Sequence, residues 1–321
     1  MYPEASALRG PDVAAHLFPR VFGQLAPSRM FDALRRLVDE FKPDLIVNEA
    51  AEFAAPIIAA SLDIPHATHS FGLAIPKERV ATTSLATADL WASVGLEPQP
   101  YGGMYSVLYI DIYPPSMQPD DLGHIQRIVR RRPESSDAHP GERLPETVSA
   151  ALHSGEGRPV VYLTFGTIYT GGAALAAAVE GLARLDATVI VTVGPGGDVD
   201  QFEPRPPNVH VEQYIPQSLL LPHCAAVVSH GGSGTLLASL ARGLPSALLP
   251  QAADQFRNAN AATAVGAALA RFGAEIIADN IEGDTRRVLT EPSFRAAAGR
   301  IRGEIAMMPS ADEVVTMLAR L

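Results

Sequence analysis

The segment Val227 to Pro250, VVSHGGSGTLLASLARGLPSALLP, holds the residues best suited to bind an anion. An apolar run ends at His230. Gly231, Gly232, Ser233, Gly234 and Thr235 follow it and open a Leu/Ala-rich helical stretch. Glycines let a backbone approach its ligand closely, and the first turn of a helix presents unpaired N–H groups at the positive end of its dipole. That combination suits phosphate, with His230 and the hydroxyls of Ser233 and Thr235 as further donors. For the glycines alone, a tight turn beside a satisfied histidine is an equal alternative.

Three further pieces carry polar groups at the ends of apolar runs. Gly166-Thr167 follows PVVYLTF, at what would be the carboxyl edge of a strand, where open α/β sheets bind ligands. Tyr214-Ile215-Pro216-Gln217 follows another run, and an extended backbone there could pair with the edge of a base. Asp254-Gln255 precedes the helical pattern Phe256 to Ala264; a carboxylate beside an amide offers acceptors and donors to sugar hydroxyls. Each is an ordinary loop by itself, and the signal lies in their order and spacing.

The elements that must position these groups are clearest in the second half. Pro159 to Phe165, Ala187 to Val193, Val209 to Val211, Ala225 to Ser229 and Ser246 to Leu249 read as strands, with helical patterns such as Ala173 to Leu185 between most of them. That alternation predicts βαβ units and a parallel sheet covered on both faces. In the first half, Arg29 to Phe41 and Ala51 to Leu62 read as helices, and Leu45 to Asn48, Pro65 to Ser70 and Val107 to Tyr113 as strands. Residues 1 to 27 read as irregular. Residues 130 to 158 read as a linker with one short helix, Pro145 to Leu152, and the triplet Arg130-Arg131-Arg132 as a solvated patch.

With 321 residues, about two domains of about 150 residues each are expected. Apolar residues make up 47% and charged residues 19%, an ordinary globular composition. The net charge of −10 argues against a nucleic-acid or acidic-membrane surface as the main partner. Cys224 is the single cysteine, which excludes an internal disulfide and a thiolate cage and fits a reducing cytoplasm. No apolar run approaches the roughly 18 residues of a membrane span. His66 and His69 could suggest a metal, but residues three apart on a strand face opposite ways, so no metal site is expected.

The stretches VVYLTFGT (160 to 167), NVHVEQYIPQSLLLPHC (208 to 224), SHGGSGTLLASLARGLPSALLPQAADQFRNA (229 to 259) and MMPSADEVV (307 to 315) strongly resemble the donor half of bacterial family 1 glycosyltransferases. These are the GT-B enzymes that decorate macrolide, enediyne and aromatic antibiotics in actinobacteria. PDLIVNEAAEFAAPIIAASLDIPHATHSFG (43 to 72) and YIDIYPPSMQ (109 to 118) extend the resemblance to nearly the whole chain. It implies an α/β fold of two Rossmann-like domains facing a cleft: an acceptor domain over 1–136, a donor domain over 137–306, and a last helix over 307–321 crossing back to the first.

Carried over residue by residue, the resemblance puts Thr167 near the donor's diphosphate and Tyr214, Ile215 and Gln217 at its base or ribose. His230, Gly232, Ser233, Gly234 and Thr235 would bind phosphate, and Asp254 and Gln255 the sugar. The implied reaction is inverting transfer of a hexose or deoxyhexose from a TDP- or UDP-sugar to a hydroxyl of a hydrophobic, polyketide-like acceptor. It needs no cofactor and no metal, the nucleotide sugar being a co-substrate. A homodimer stays open.

Family members begin with a strand and a Gly-His turn whose His removes the acceptor's proton. That motif does not occur in these residues, so the first domain is expected to be incomplete and to expose a sheet edge. His16 is the only histidine before residue 66, and it lies in a stretch without strand character. Glu49 matches the acid that orients the missing His and is the one catalytic candidate; a solvated carboxylate at a strand end is the alternative reading. Besides an active glycosyltransferase, an impaired nucleotide-sugar-binding or auxiliary protein, or a truncated gene product, stays open.

Overall fold

The structure, a computed structural model, describes residues 11–119, 121–134, 138–155, 157–166 and 172–321. Its contacts divide into two compact units. One comprises the chain up to Pro114 with Gln118–Arg132 and Met308–Leu321, and the other Pro115–Met117 with Pro133–Met307.

The first unit carries a four-stranded parallel sheet in the order β1 (Ile46–Glu49), β2 (His66–His69), β3 (Leu108–Asp111), β4 (Ile128–Arg130). Helices α1 (Pro11–Phe18), α2 (Ala26–Phe41), α3 (Ala55–Leu62), α4 (Lys77–Leu85) and α5 (Ala88–Ser93) belong to it. Phe31, Ile57, Ile58 and Trp91 form one cluster, and Ala67, Leu108 and Ile110 pack with Val314 in another.

The sequence reading is corrected at two places here. Residues 11–25 are helical rather than irregular: α1 runs into a π-helical segment, Pro19–Leu25, and then into α2. Pro19 and Pro27 stand at the two boundaries of the π-helical segment, where the hydrogen-bond ladder changes register and a missing N–H is tolerated. Arg130 is the last residue of β4 rather than part of a linker, and it is the register partner of Asp111. A three-residue strand has too little pattern to be read from sequence. Among the described residues β1 pairs on one side only, and Val47 on it is 50% exposed.

The second unit has a six-stranded, wholly parallel sheet in the order β10-β9-β8-β5-β6-β7. The strands are β5 (Val160–Thr164), β6 (Thr188–Thr192), β7 (Val209–Glu212), β8 (Ala226–Ser229), β9 (Ser246–Leu248) and β10 (Ala268–Ala270). The intervening helices are α6 (Glu146–Ser154), α7 (Ala173–Ala183), α8 (Gln217–Leu220), α9 (Ser233–Leu240), α10 (Gln255–Ala264), α11 (Ala278–Thr290) and α12 (Pro292–Met307). Alternate residues go to opposite faces. Val161, Leu163, Val189 and Val191 pack with Leu175 and Leu182 of α7 and Ile281 of α11. Val160, Tyr162, Ile190 and Val227 pack with Val148 of α6, Leu220 of α8 and Ala238 of α9. A sheet buried on both faces explains the continuous apolar runs.

The last helix is broken after Met307. A further helix, α13 (Ala311–Leu318), begins at a capping box in which Glu313 N–H donates to the Ser310 side chain and Ser310 N–H to the Glu313 carboxylate. The α13 segment clusters with the first unit.

Candidate functional site

From β5 the chain moves outward to β6 and β7 and then returns to β8 on the other side of β5. The reversal opens a crevice between the carboxyl ends of β5 and β8, the place where open α/β sheets take ligands. The Gly166 and Gly231 turns both start there.

Three hydroxyls stand in a row across these strand ends. Thr164 is the register partner of Ser229 on β8 and of Thr192 on β6. Thr164 Oγ1 accepts from Gly166 N–H at 3.2 Å, and Ser229 Oγ accepts from Gly231 N–H at 3.2 Å. Each hydroxyl thus holds the backbone two residues on, a turn device of Ser and Thr. Both glycines take positive φ, 76° and 80°, which other residues rarely adopt.

The imidazole of His230 lies between the two glycine loops. A β-carbon at Gly166 would come within 3.0 Å of His230 Cε1, and one at Gly232 within 2.6 Å of Nε2. Only glycine at both positions leaves the ring its place. Burial lowers the His230 pKa, while the Asp254 charge and a hydrogen bond with the Thr164 backbone push the other way. Gly232 is the N-cap of α9, in extended conformation and with no side-chain cap. The start of α9 thus carries no side-chain cap from its N-cap residue, and the first turn of a helix suits an anion.

Asp254 and Gln255 divide into different tasks. Asp254 precedes α10 without capping it. Its Oδ2 accepts from Ser233 Oγ and from Asn258 Nδ2, both at 2.9 Å. The buried Gln255 turns its amide oxygen inward, where it accepts from the N–H groups of Gln251 at 2.8 Å and Ala252 at 2.9 Å. Gln255 therefore builds the loop, and at most its amide nitrogen is left for a ligand.

Asn258 is missed by the sequence reading. Fully buried, it also donates to the Gly231 carbonyl at 3.0 Å and to Ser233 Oγ at 3.1 Å, tying α10 to the glycine turn. Its spacing of four from Asp254 on one helix face is the signal that could have found it.

On the neighbouring loop Tyr214 is 50% exposed, but the Ile215 side chain is part of the core. Only the backbone of Ile215 can meet a ligand. Gln217 opens α8 and donates to Thr235 Oγ1 at 3.0 Å. Gly234 is exposed and Thr235 buried at the start of α9. Thr167 lies outside the described residues.

In the first unit Glu49 ends β1, exposed, in register with His69 on β2. Desolvation, offset in part by the Ala51 backbone and reinforced by Glu52, raises its carboxyl above the usual range. His16 is on α1, where Arg20 Nη1 approaches its Nδ1 at 3.1 Å. Since a guanidinium only donates, it occupies the lone pair a base would use. His66 is 3.0 Å from the Gly103 carbonyl and His69 stands on the opposite face of β2. Among the described residues no cluster of His, Cys, Asp and Glu could hold a metal, and no helix is long and apolar enough to cross a membrane. The buried Cys224 thiol is pushed up to about 12 by desolvation and stays protonated.

These features meet a consistent set of relatives. The family model for the erythromycin biosynthesis protein CIII-like C-terminal domain matches residues 176–321, and that for the N-terminal domain matches residues 13–131. Elloramycin glycosyltransferase ElmGT of Streptomyces olivaceus is 32% identical over 293 residues, 90% of this chain and 72% of that protein. Aclacinomycin-T 2-deoxy-L-fucose transferase of Streptomyces galilaeus is 29% identical over 336 residues, 94% of this chain and 71% of that protein. Among solved structures, the glycosyltransferase VinC in complex with DTDP has a TM-score of 0.78 at 27% identity, covering 96% of this chain and 79% of that one. The glycosyltransferase SnogD from Streptomyces nogalater has a TM-score of 0.74 at 29% identity, covering 95% and 80%. The two parallel-sheet units are the GT-B architecture of such enzymes. By sequence and by fold, the chain belongs to the erythromycin CIII-like glycosyltransferases, a family of sugar-transferring enzymes of antibiotic biosynthesis.

Proposed function

We propose that the second unit binds the nucleoside diphosphate of a TDP- or UDP-sugar and that the chain serves inverting transfer of a hexose or deoxyhexose to a hydroxyl of a polyketide-like acceptor. The observation that carries this reading is the convergence of Gly166, His230 and the N-terminus of α9 at the β5/β8 crevice. N–H donors and an imidazole gathered there suit a diphosphate, and VinC was solved with DTDP.

In the reaction the acceptor oxygen forms a bond to the anomeric carbon while the bond from that carbon to the diphosphate oxygen breaks, inverting the centre. The departing diphosphate gathers charge. The α9 N-terminus, His230 and the Thr235 hydroxyl would stabilise it where it forms; the Ser233 hydroxyl proton is already given to Asp254 Oδ2. Asp254, anchored through Oδ2, offers its other carboxylate oxygen to a sugar hydroxyl. Tyr214 and the Ile215 backbone would meet the base. No metal or cofactor is invoked, since the helix terminus and His230 supply the stabilisation a cation would otherwise give.

The acceptor's proton must also leave, and here Glu49 is the candidate. Its raised pKa makes it a better base than an ordinary carboxylate, which titrates near about 4.3, but still a weak one for an alcohol. That observation favours a second reading, a nucleotide-sugar-binding protein with little turnover. Base catalysis is typically worth about 10²- to 10⁴-fold, so losing it spares donor binding and cripples transfer.

Incubating the protein with TDP- and UDP-hexoses and polyketide aglycones, with products read by mass spectrometry and anomeric configuration by NMR, tests the proposal. Product of inverted configuration, reduced in Glu49→Gln, supports the active reading. Nucleotide-sugar binding without product supports the second. Retained configuration, or no binding of either nucleotide, contradicts the proposal.

A further inference from the structure

A chain of hydrogen bonds runs beneath the candidate donor site through Tyr162 and Thr192, to which no role has been given. The buried Tyr162 hydroxyl on β5 is 2.8 Å from Thr192 Oγ1 on β6, and Thr192 Oγ1 donates to Thr164 Oγ1 at 3.0 Å. Thr164 then accepts from the Gly166 N–H. The Tyr162 hydroxyl is also hydrogen-bonded directly to the Thr164 side chain and, in the other direction, to the Gln217 side chain, whose amide donates to Thr235 Oγ1.

The protons of this chain have one consistent order. Thr192 has a single hydroxyl proton and gives it to Thr164, so Tyr162 must donate to Thr192. Tyr162 then has only acceptor capacity left for the Thr164 hydroxyl and the Gln217 amide. That amide has two N–H groups, one for Tyr162 and one for Thr235. A Thr235 oxygen that accepts from Gln217 keeps its own proton for another acceptor. Such one-way chains strengthen link by link in a buried setting.

We propose that Tyr162 is a positioning residue for the donor site: its hydroxyl, at the centre of this chain, sets Gln217 and Thr235 at one end and the Gly166 turn at the other in the geometry that receives a nucleoside diphosphate. The inference rests on the donor-binding reading above. The Gly166 turn and Thr235, in the first turn of α9, border the same crevice, and the Tyr162 ring is packed in the core. Its hydroxyl therefore acts on the ligand only through these neighbours.

Calorimetric titration of TDP into the 321-residue protein and its variants is the test. Tyr162→Phe keeps the ring and removes only the hydroxyl. It is expected to weaken TDP binding about five- to tenfold, since a buried link is lost and its partners are left unsatisfied. Thr192→Val should lose about as much, whereas Thr192→Ser, which keeps the hydroxyl, should retain affinity. Thr235→Ala should cost less in the Tyr162→Phe background than alone, because Thr235 is then already displaced. If Tyr162→Phe fails to fold, the Thr192→Val and Thr192→Ser pair decides. Unchanged affinity in folded Tyr162→Phe or Thr192→Val, equal loss in Thr192→Ser, or strict additivity with Thr235→Ala overturns the inference. Absence of TDP binding by the unsubstituted protein instead removes the donor-binding reading itself.

Discussion

A β-carbon on Gly232 would stand 2.6 Å from Nε2 of His230. The contact is tighter than any side chain tolerates, so the residue that caps α9 and the imidazole beside it are mutually constrained. Gly232→Ala should therefore push the ring out of the crevice. Its φ of −62° suits alanine, so the backbone itself is not strained. TDP affinity is expected to fall about tenfold or more with a melting temperature close to that of the parent protein. Affinity unchanged by the substitution would show that the ring is not what the phosphates meet.

His230 also predicts a pH dependence. Burial depresses its pKa in the folded protein. Below about pH 6.5 the unfolded chain takes up a proton that the folded chain resists, so stability is fully present above that range and is lost as pH falls through it. Urea denaturation at pH 7.5 and at pH 5.5 should show a larger drop for the parent protein than for His230→Gln. The opposite charge of Asp254 softens the drop without reversing it. An equal drop in both proteins would mean that His230 does not titrate differently on folding.

Gln255 is expected to behave as structure rather than as a sugar ligand. Its amide oxygen receives two backbone N–H groups in a buried loop. Gln255→Ala should cost about 2–3 kcal/mol of stability, because both donors lose their partner, and should weaken TDP and a TDP-hexose alike. Asp254→Ala should distinguish between those two ligands, with the hexose-bearing one losing more. A selective loss of TDP-hexose binding in Gln255→Ala, with stability intact, would restore it as a sugar contact.

Much of the second unit was legible in sequence because a parallel sheet buried on both faces writes each strand as a continuous apolar run. PVVYLTF yields β5 and its glycine turn almost unchanged. The first unit was less legible. Helical residues 11–25 were hidden by prolines that the π-helical segment accommodates at its boundaries, and β4 is too short to carry a pattern. At the site, His230 and the glycines were visible because their chemistry is local in sequence. Tyr162 and Thr192 were not, because their partners lie 30 and 28 positions away and only the pairing of β5 with β6 joins them, while the link from Asn258 to the glycine turn spans 27 positions between α10 and the β8 loop.

The central claim is that the β5/β8 crevice receives a nucleoside diphosphate through His230 and the start of α9. Calorimetric titration of TDP into the 321-residue protein and into His230→Ala tests it most directly. The expected result is saturable binding of one TDP per chain, weakened about tenfold or more in the variant, since a hydrogen bond to a charged group is worth about 1.5–3 kcal/mol. No binding by the parent protein, or equal affinity in a folded His230→Ala, would contradict the account.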